Sequence, residues 1–182
     1  TPVPPQMRTG TSWYSGTADA IYQNLYLLER SGAEYVLILA GDHIYRMDYA
    51  AMLTHHRDSG ADLTVACLTV PVADARAFGV VTVDARDRVV SFHEKDPNPP
   101  TIPGDPAHAL ASMGVYVFSM RALVDWLRAD AQTESSHDFG RDILPAMVSR
   151  HPVYAYRFGG AAGRVTAEDR KSTRLNSSHA NI

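Results

Sequence analysis

The segment YVLILAGDH at residues 35–43 opens with a continuous apolar run, YVLILA at 35–40, and turns polar at Gly41, Asp42 and His43. That run is far shorter than the roughly 18 residues a bilayer needs. It reads as a strand buried on both faces, as in a parallel sheet covered by helices. Upstream, Thr17 suits the cap of a helix whose apolar stripe is Ile21, Leu25 and Leu28, and Gly32 suits its left-handed end. Downstream, Asp48 caps a second helix carrying Tyr49, Met52 and Leu53, ended by Gly60. LTVACLTV at 63–70 is a further strand stopped by Pro71. This strand–helix–strand rhythm predicts an α/β fold with a right-handed crossover.

Beyond residue 70 the pattern changes. Residues 80–83 and 88–92 flank the polar stretch DARD at 84–87 and read as a β-hairpin. DPNPPTIPGDP at 96–106 holds five of the eleven prolines, so it is a loop. MGVYVF at 113–118 is the next strand, and Ser119 opens a helix with Met120, Leu123, Val124 and Leu127 on one side. A polar loop leads to Asp138 and a helix through Val148, bent at Pro145. Residues 153–158 alternate like a last strand. Nothing repeats internally. The final stretch KSTRLNSSHANI at 171–182 has no periodicity and reads like translated adapter sequence, so it is left out of the fold.

Composition bounds the function. The 182 residues are 45% hydrophobic and 20% charged with a net charge of −3, which suits one globular domain and excludes disorder as the main state. A pI near 6.2 argues against general nucleic-acid binding. The single cysteine, Cys67, forms no internal disulfide, and TPVPP at 1–5 lacks a signal pattern, so a cytoplasmic setting away from membranes is expected.

Three segments can carry chemistry. Asp42 follows the apolar run and so sits at the carboxyl edge of a sheet, where open α/β folds place ligands; it is either a hard-oxygen ligand for Mg²⁺ or a turn cap. In WYSGTADA at 13–20, Gly16 allows close backbone approach and Thr17 opens a helix with free amides, while Trp13 and Tyr14 can stack on a base or sugar; a plain helix start reads the same way. In FHEKDP at 92–97, Lys95 suits a phosphate and Glu94 can accept sugar hydroxyls, although surface Glu–Lys pairs are common.

Taken together, WYSGTADAI at 13–21, LAGDHIY at 39–45, AFGVV at 77–81, FHEKDPNPP at 92–100, ASMGVYVF at 111–118 and SSHDFGRDILP at 135–145 resemble the bacterial glucose-1-phosphate adenylyltransferases, in the family's order and at similar spacing up to about Arg170. The resemblance implies a Rossmann-like nucleotidyltransferase fold with a mixed, mainly parallel sheet, here truncated at both ends. A partial catalytic domain would occupy 1–170, with a non-native tail at 171–182. It implies transfer of AMP from ATP to glucose 1-phosphate, giving ADP-glucose and pyrophosphate for glycogen synthesis. Mg²⁺ is the implied cofactor, and the parent would be an allosterically controlled homotetramer.

Carried over by residue, Asp42 matches the metal-holding catalytic aspartate and Lys95 the catalytic lysine on the phosphate of glucose 1-phosphate. Tyr14, Gly79, Glu94 and Ser112 match positions around that sugar phosphate, and Gly16 and Thr17 lie nearest the nucleotide. The family's glycine-rich nucleotide loop and its second metal carboxylate find no match here, so little activity is expected of this chain alone. Asp96 stands where the family usually has proline, which frees φ and loosens the loop holding Lys95. Another sugar-1-phosphate nucleotidyltransferase or a non-catalytic regulatory subunit are the alternatives.

Other suggestive groupings have plainer readings. SSHD at 135–138 has the letters of a catalytic triad, but adjacent residues rarely face one another, so it reads as a helix start. His55 and His56 diverge on a helix, where a metal pair needs i and i+4. Cys67 reads as a small core hydrophobe, and Trp126 as helix packing.

Overall fold

The computed structural model describes residues 14–41 and 47–159. Six strands form one sheet: β1 (Tyr35–Leu39), β2 (Leu63–Pro71), β3 (Gly79–Val83), β4 (Val89–Glu94), β5 (His108–Ser119) and β6 (Val153–Arg157). Its order is β4-β3-β5-β2-β6, with β1 also paired to β5. β5 is the spine. Along one side it pairs with β2 for most of its length; along the other it meets β3 near Ala111 and β1 from Val115 to Ser119. β1, β2, β3 and β6 run one way, as a mainly parallel sheet would have them. The pairings differ from that expectation, because β5 runs between them in the opposite sense and leaves β2–β6 as the one parallel pair among the described residues.

The apolar run that suggested a doubly covered strand also differs. β1 pairs only with β5 among the described residues, and Leu37 and Leu39 are 40% and 43% exposed. A continuous apolar run reports that both faces favour burial. It says nothing about which neighbour runs alongside or in which direction.

The helices fall where the periodicity puts them, with local changes. The first predicted helix is broken in two, α1 (Thr17–Tyr22) and α2 (Leu25–Ser31), at Gln23–Asn24, and Gly32 closes it left-handed (φ 68°). Thr17 is its first residue and not its cap; Gly16 holds the cap position. Asp48 caps α3 (Tyr49–Asp58), accepting from the Ala51 amide at 3.0 Å. A short α4 (Val72–Ala75) follows β2. α5 (Met120–Asp130) buries Leu123, Val124 and Leu127 of the stripe read from the sequence, with Ala122 beside them and Met120 only partly buried. After it, residues 139–143 wind as a π-turn that passes into α6 (Leu144–Val148), with Pro145 at the junction where a bend was expected. Wide turns of this kind cluster at functional sites.

The core lies between the sheet and α5, the π-turn and α6. Leu63, Val65, Phe118, Leu123, Leu127, Ile143, Leu144 and Met147 are all at most 1% exposed there. Each large side chain so buried contributes about 1.5–3 kcal/mol. Cys67 belongs to the same cluster, and complete burial raises its thiol pKa far above the ordinary range, so it packs and does not react. Among the described residues no helix is long and apolar enough to cross a membrane. The tail at 171–182 lies outside the described residues.

Candidate active site

Strand β4 delivers Glu94 at its last position and Lys95 immediately after it. Glu94 lies opposite Gly79 in the β3–β4 register. Lys95 is left-handed (φ 48°), an uncommon state for a residue with a side chain that costs about 1–2 kcal/mol, and its amide donates to the Phe78 carbonyl at 3.1 Å. Strand alternation therefore ends right after Glu94, and the exposed Lys95 leads into the proline-rich loop. Asp96 ties that loop: one carboxylate oxygen accepts from the Asn98 amide at 2.8 Å and the other lies 3.5 Å from His93 Nδ1. The residue expected to loosen the loop brings two restraints of its own.

Glu94 faces two glycines. A Cβ built on Gly79 would come 2.4 Å from Phe92 Cζ and 2.9 Å from Glu94 Oε2, and one on Gly140 would come 2.7 Å from Glu94 Oε2. Only hydrogen fits at both positions while the carboxylate stays where it is. Glu94 is half-buried, and that burial pushes its pKa up; Lys95 and Arg141 pull it down and Asp138 adds to the rise. Among the described residues no group donates a hydrogen bond to it. A carboxylate held this way is short of donors.

Behind Glu94, β5 contributes Ser112 and Tyr116. The Tyr116 phenol is buried, shares a hydrogen bond with Ser112, and is pushed up to about 12 chiefly by desolvation. Its ring packs against Phe139 at 6.0 Å. The Ser112 hydroxyl also accepts from the Gly114 amide at 3.3 Å. Gly114 is left-handed (φ 67°), accepts through its carbonyl from the Ala40 amide at 3.0 Å, and sits so close to Ala40 that an added Cβ would come within 3.1 Å of the Ala40 Cβ. The carboxyl end of β1 thus lies alongside β5, two residues from Ser112. Asp42, the expected metal ligand, lies outside the described residues.

The π-turn supplies the remaining wall. Asp138 caps it, Oδ1 accepting from the Gly140 and Arg141 amides at 2.9 and 3.1 Å. Asp142 Oδ2 reaches back to the Asp138 amide at 3.0 Å and to the Ser136 hydroxyl at 2.5 Å; burial opposes its charge, but these bonds outweigh it and hold its carboxyl below the ordinary range. SSHD is therefore a helix start, as read. His137 turns its ring to Asp130 at 2.7 Å and Ser135 at 3.0 Å, a fastening of the loop to the end of α5.

A sequence profile of the nucleotidyl transferase family matches residues 3–162. The chain belongs to that family. Curated relatives are the glucose-1-phosphate adenylyltransferase 2 of Vibrio parahaemolyticus, 60% identical over 91% of this chain and 41% of that protein; the protein of the same name from Alkalilimnicola ehrlichii, 54% identical over 88% of this chain and 38% of that protein; and a glucose-1-phosphate adenylyltransferase of Dechloromonas aromatica, 55% identical over 81% and 34%. The chain spans about two fifths of the length of the first of these relatives.

Within this nucleotidyl transferase domain the structure brings together Gly79, Glu94 and, through Tyr116, Ser112, with Lys95 alongside. Tyr14 lies at the α1–α2 break, where its hydroxyl accepts from the Asn24 side chain at 3.1 Å. Gly16 and Thr17 are seated on residues 136–139. Two of the α1 amides expected to be free are taken: the Ala18 and Asp19 amides both donate to the His137 carbonyl, at 2.8 and 3.4 Å. Asp138, Gly140 and Tyr116 were not singled out from sequence as site residues. Asp138 carried the signal of a helix cap, and its contact with the Glu94 surroundings spans more than forty residues of chain.

Proposed function

We propose that this domain forms the glucose 1-phosphate side of a glucose-1-phosphate adenylyltransferase site, which transfers AMP from ATP to the sugar phosphate and releases pyrophosphate. The observation that carries the reading is the half-buried Glu94 carboxylate, short of donors between two glycine surfaces, with the Lys95 cation next in the chain. A sugar offers what this arrangement lacks: hydroxyl donors for Glu94 and a phosphate for Lys95.

The attacking phosphate oxygen is already anionic, so the chain's task is orientation and charge compensation, with no strong base required. Glu94 fixes the sugar through its hydroxyls, the Gly79 and Gly140 surfaces seat the Glu94 carboxylate, and Lys95 holds the phosphate in line. Asp42 is a hard-oxygen donor of the type Mg²⁺ prefers, and the β1 end that leads to it passes Gly114 beside Ser112. Mg²⁺ held there would neutralise charge on the meeting phosphates. Tyr14 and Ser112 are proposed to flank the sugar phosphate; the nucleotide-facing role expected of Gly16 and Thr17 is not carried into the proposal, because the Thr17 hydroxyl and the Ala18 and Asp19 amides are bonded to residues 137–139. A cytoplasmic, tetrameric, allosterically controlled parent in glycogen synthesis completes the proposal.

The test is calorimetric titration of glucose 1-phosphate into the chain and into Lys95→Ala. Loss of the cation should weaken binding about 10- to 100-fold, the worth of one charge-assisted phosphate contact. Equal affinity for both proteins would remove Lys95 from the site.

A further inference from the structure

Thr17 does more than begin a helix. Its hydroxyl donates to Asp138 Oδ2 at 3.0 Å and accepts from the Phe139 amide at 3.1 Å, contacts that span more than 120 residues of chain. Beside it Gly16 lies flush on the loop: a Cβ there would fall 2.3 Å from the carbonyl oxygens of both Ser136 and His137, which are backbone atoms with nowhere to go. Asp138 in turn spends its other oxygen on the Gly140 and Arg141 amides, and Gly140 is the surface that meets Glu94. The links run without a gap from Thr17 through Asp138 and Gly140 to Glu94.

We propose that Thr17 is a positioning residue for the sugar-phosphate side of the site: its hydroxyl locks Asp138, and through it the Gly140 wall, against Glu94, and Gly16 is the surface that lets this latch close. The proposal rests on the reading of Glu94 as a sugar-phosphate residue only in its ligand arm. Both polar faces of the Thr17 hydroxyl are already engaged, and so are the Ala18 and Asp19 amides of α1, and all of these bonds go to the loop.

The test compares Thr17→Val, which keeps the shape and loses the hydroxyl, with Thr17→Ser, which keeps it. Two readouts are taken: the carboxyl carbon NMR titration of Glu94, and calorimetric affinity for glucose 1-phosphate and for ATP. With Val, loosening of the wall should let water reach Glu94 and move its titration midpoint down toward the ordinary glutamate range, and glucose 1-phosphate affinity should fall roughly tenfold while ATP affinity stays. Ser should behave as the wild type. An unmoved Glu94 midpoint in Thr17→Val, or a loss confined to ATP, overturns the latch. A wild type that ignores glucose 1-phosphate while its Glu94 midpoint still answers to Val sinks the functional reading and leaves the latch standing. Should Val not fold, amide exchange in the wild type decides: Phe139 protected as well as Gly140 supports the latch, and a fast-exchanging Phe139 overturns it.

Discussion

His56 and Glu94 are two titratable side chains taken out of water by the same sheet, and they are treated in opposite ways. His56, on α3, is fully buried. Its Nδ1 shares a hydrogen bond with Thr64 at 2.8 Å and its Nε2 with Ser119 at 3.2 Å, and the Tyr35 ring stands edge-on at 5.4 Å. The Ser119 hydroxyl goes on to donate to the Ala61 carbonyl at 3.0 Å. Both ring nitrogens are satisfied, and the imidazole stays neutral because desolvation lowers its pKa to about 4. Glu94 is only half-buried but receives no donor among the described residues. A saturated polar group ties elements together; an unsaturated one, half-buried against side-chain-free neighbours, is open to a ligand.

Glu94→Ala should break the comparison most sharply. On the proposed reading, removing the carboxylate that would accept from the sugar hydroxyls costs about 3 kcal/mol of binding, or about 100-fold in affinity for glucose 1-phosphate. Stability should not fall with it. Since the folded-state pKa of Glu94 is raised, the native protein holds this proton more tightly than the unfolded chain, and ionising the group costs stability as pH rises past the ordinary glutamate range. At neutral pH the alanine variant should melt no lower than the wild type. A drop in both melting temperature and affinity would mean that Glu94 is a structural group like His56.

His56→Gln probes the other side and should leave sugar-phosphate affinity alone. Here the sign is reversed. The unfolded histidine takes up a proton near its ordinary pKa of 6.5, and the folded one does so only near 4. Stability is therefore flat above pH 6.5, falls by up to about 3 kcal/mol as pH drops from 6.5 to 4, and flattens again below. Glutamine does not titrate, so urea unfolding across pH 4–7 should show a smaller acid loss in the variant. Parallel pH curves would show that His56 is not the buried neutral group described.

How much of this was legible in the sequence follows from the range of each interaction. Asp48 as a cap, Gly32 as a left-handed end and the α5 stripe are decided within a few residues, so spacing alone finds them. β1 is different. Its extent was readable, but its partner is β5, some eighty residues away, and an apolar run carries no record of strand direction. In the site, Glu94 and Lys95 were visible as a charged pair leaving a hairpin. Asp138 was visible only as a cap, because the feature that makes it more is the Thr17 hydroxyl at the far end of the chain. Gly140 gave no local signal: its lack of a side chain matters only because Glu94 stands opposite.

That opposition sets the smallest expected effect, Gly140→Ala. The atom a new methyl would strike is Oε2 of Glu94, 2.7 Å away, the far end of a flexible side chain, with the nearest Asp138 oxygen at 3.4 Å. Glu94 can swing aside by rotating a side-chain torsion, at a cost of about 0.5–1.5 kcal/mol. The π-turn should survive, because the Gly140 amide keeps its bond to Asp138. Affinity for glucose 1-phosphate should fall only about three- to tenfold, with the melting temperature nearly unchanged. If Gly140→Ala instead unfolds the loop, seen as loss of amide protection at residues 139–143, then the glycine serves the turn and its closeness to Glu94 is incidental. If affinity drops while protection holds, the position that Gly140 allows Glu94 to keep is what the sugar needs.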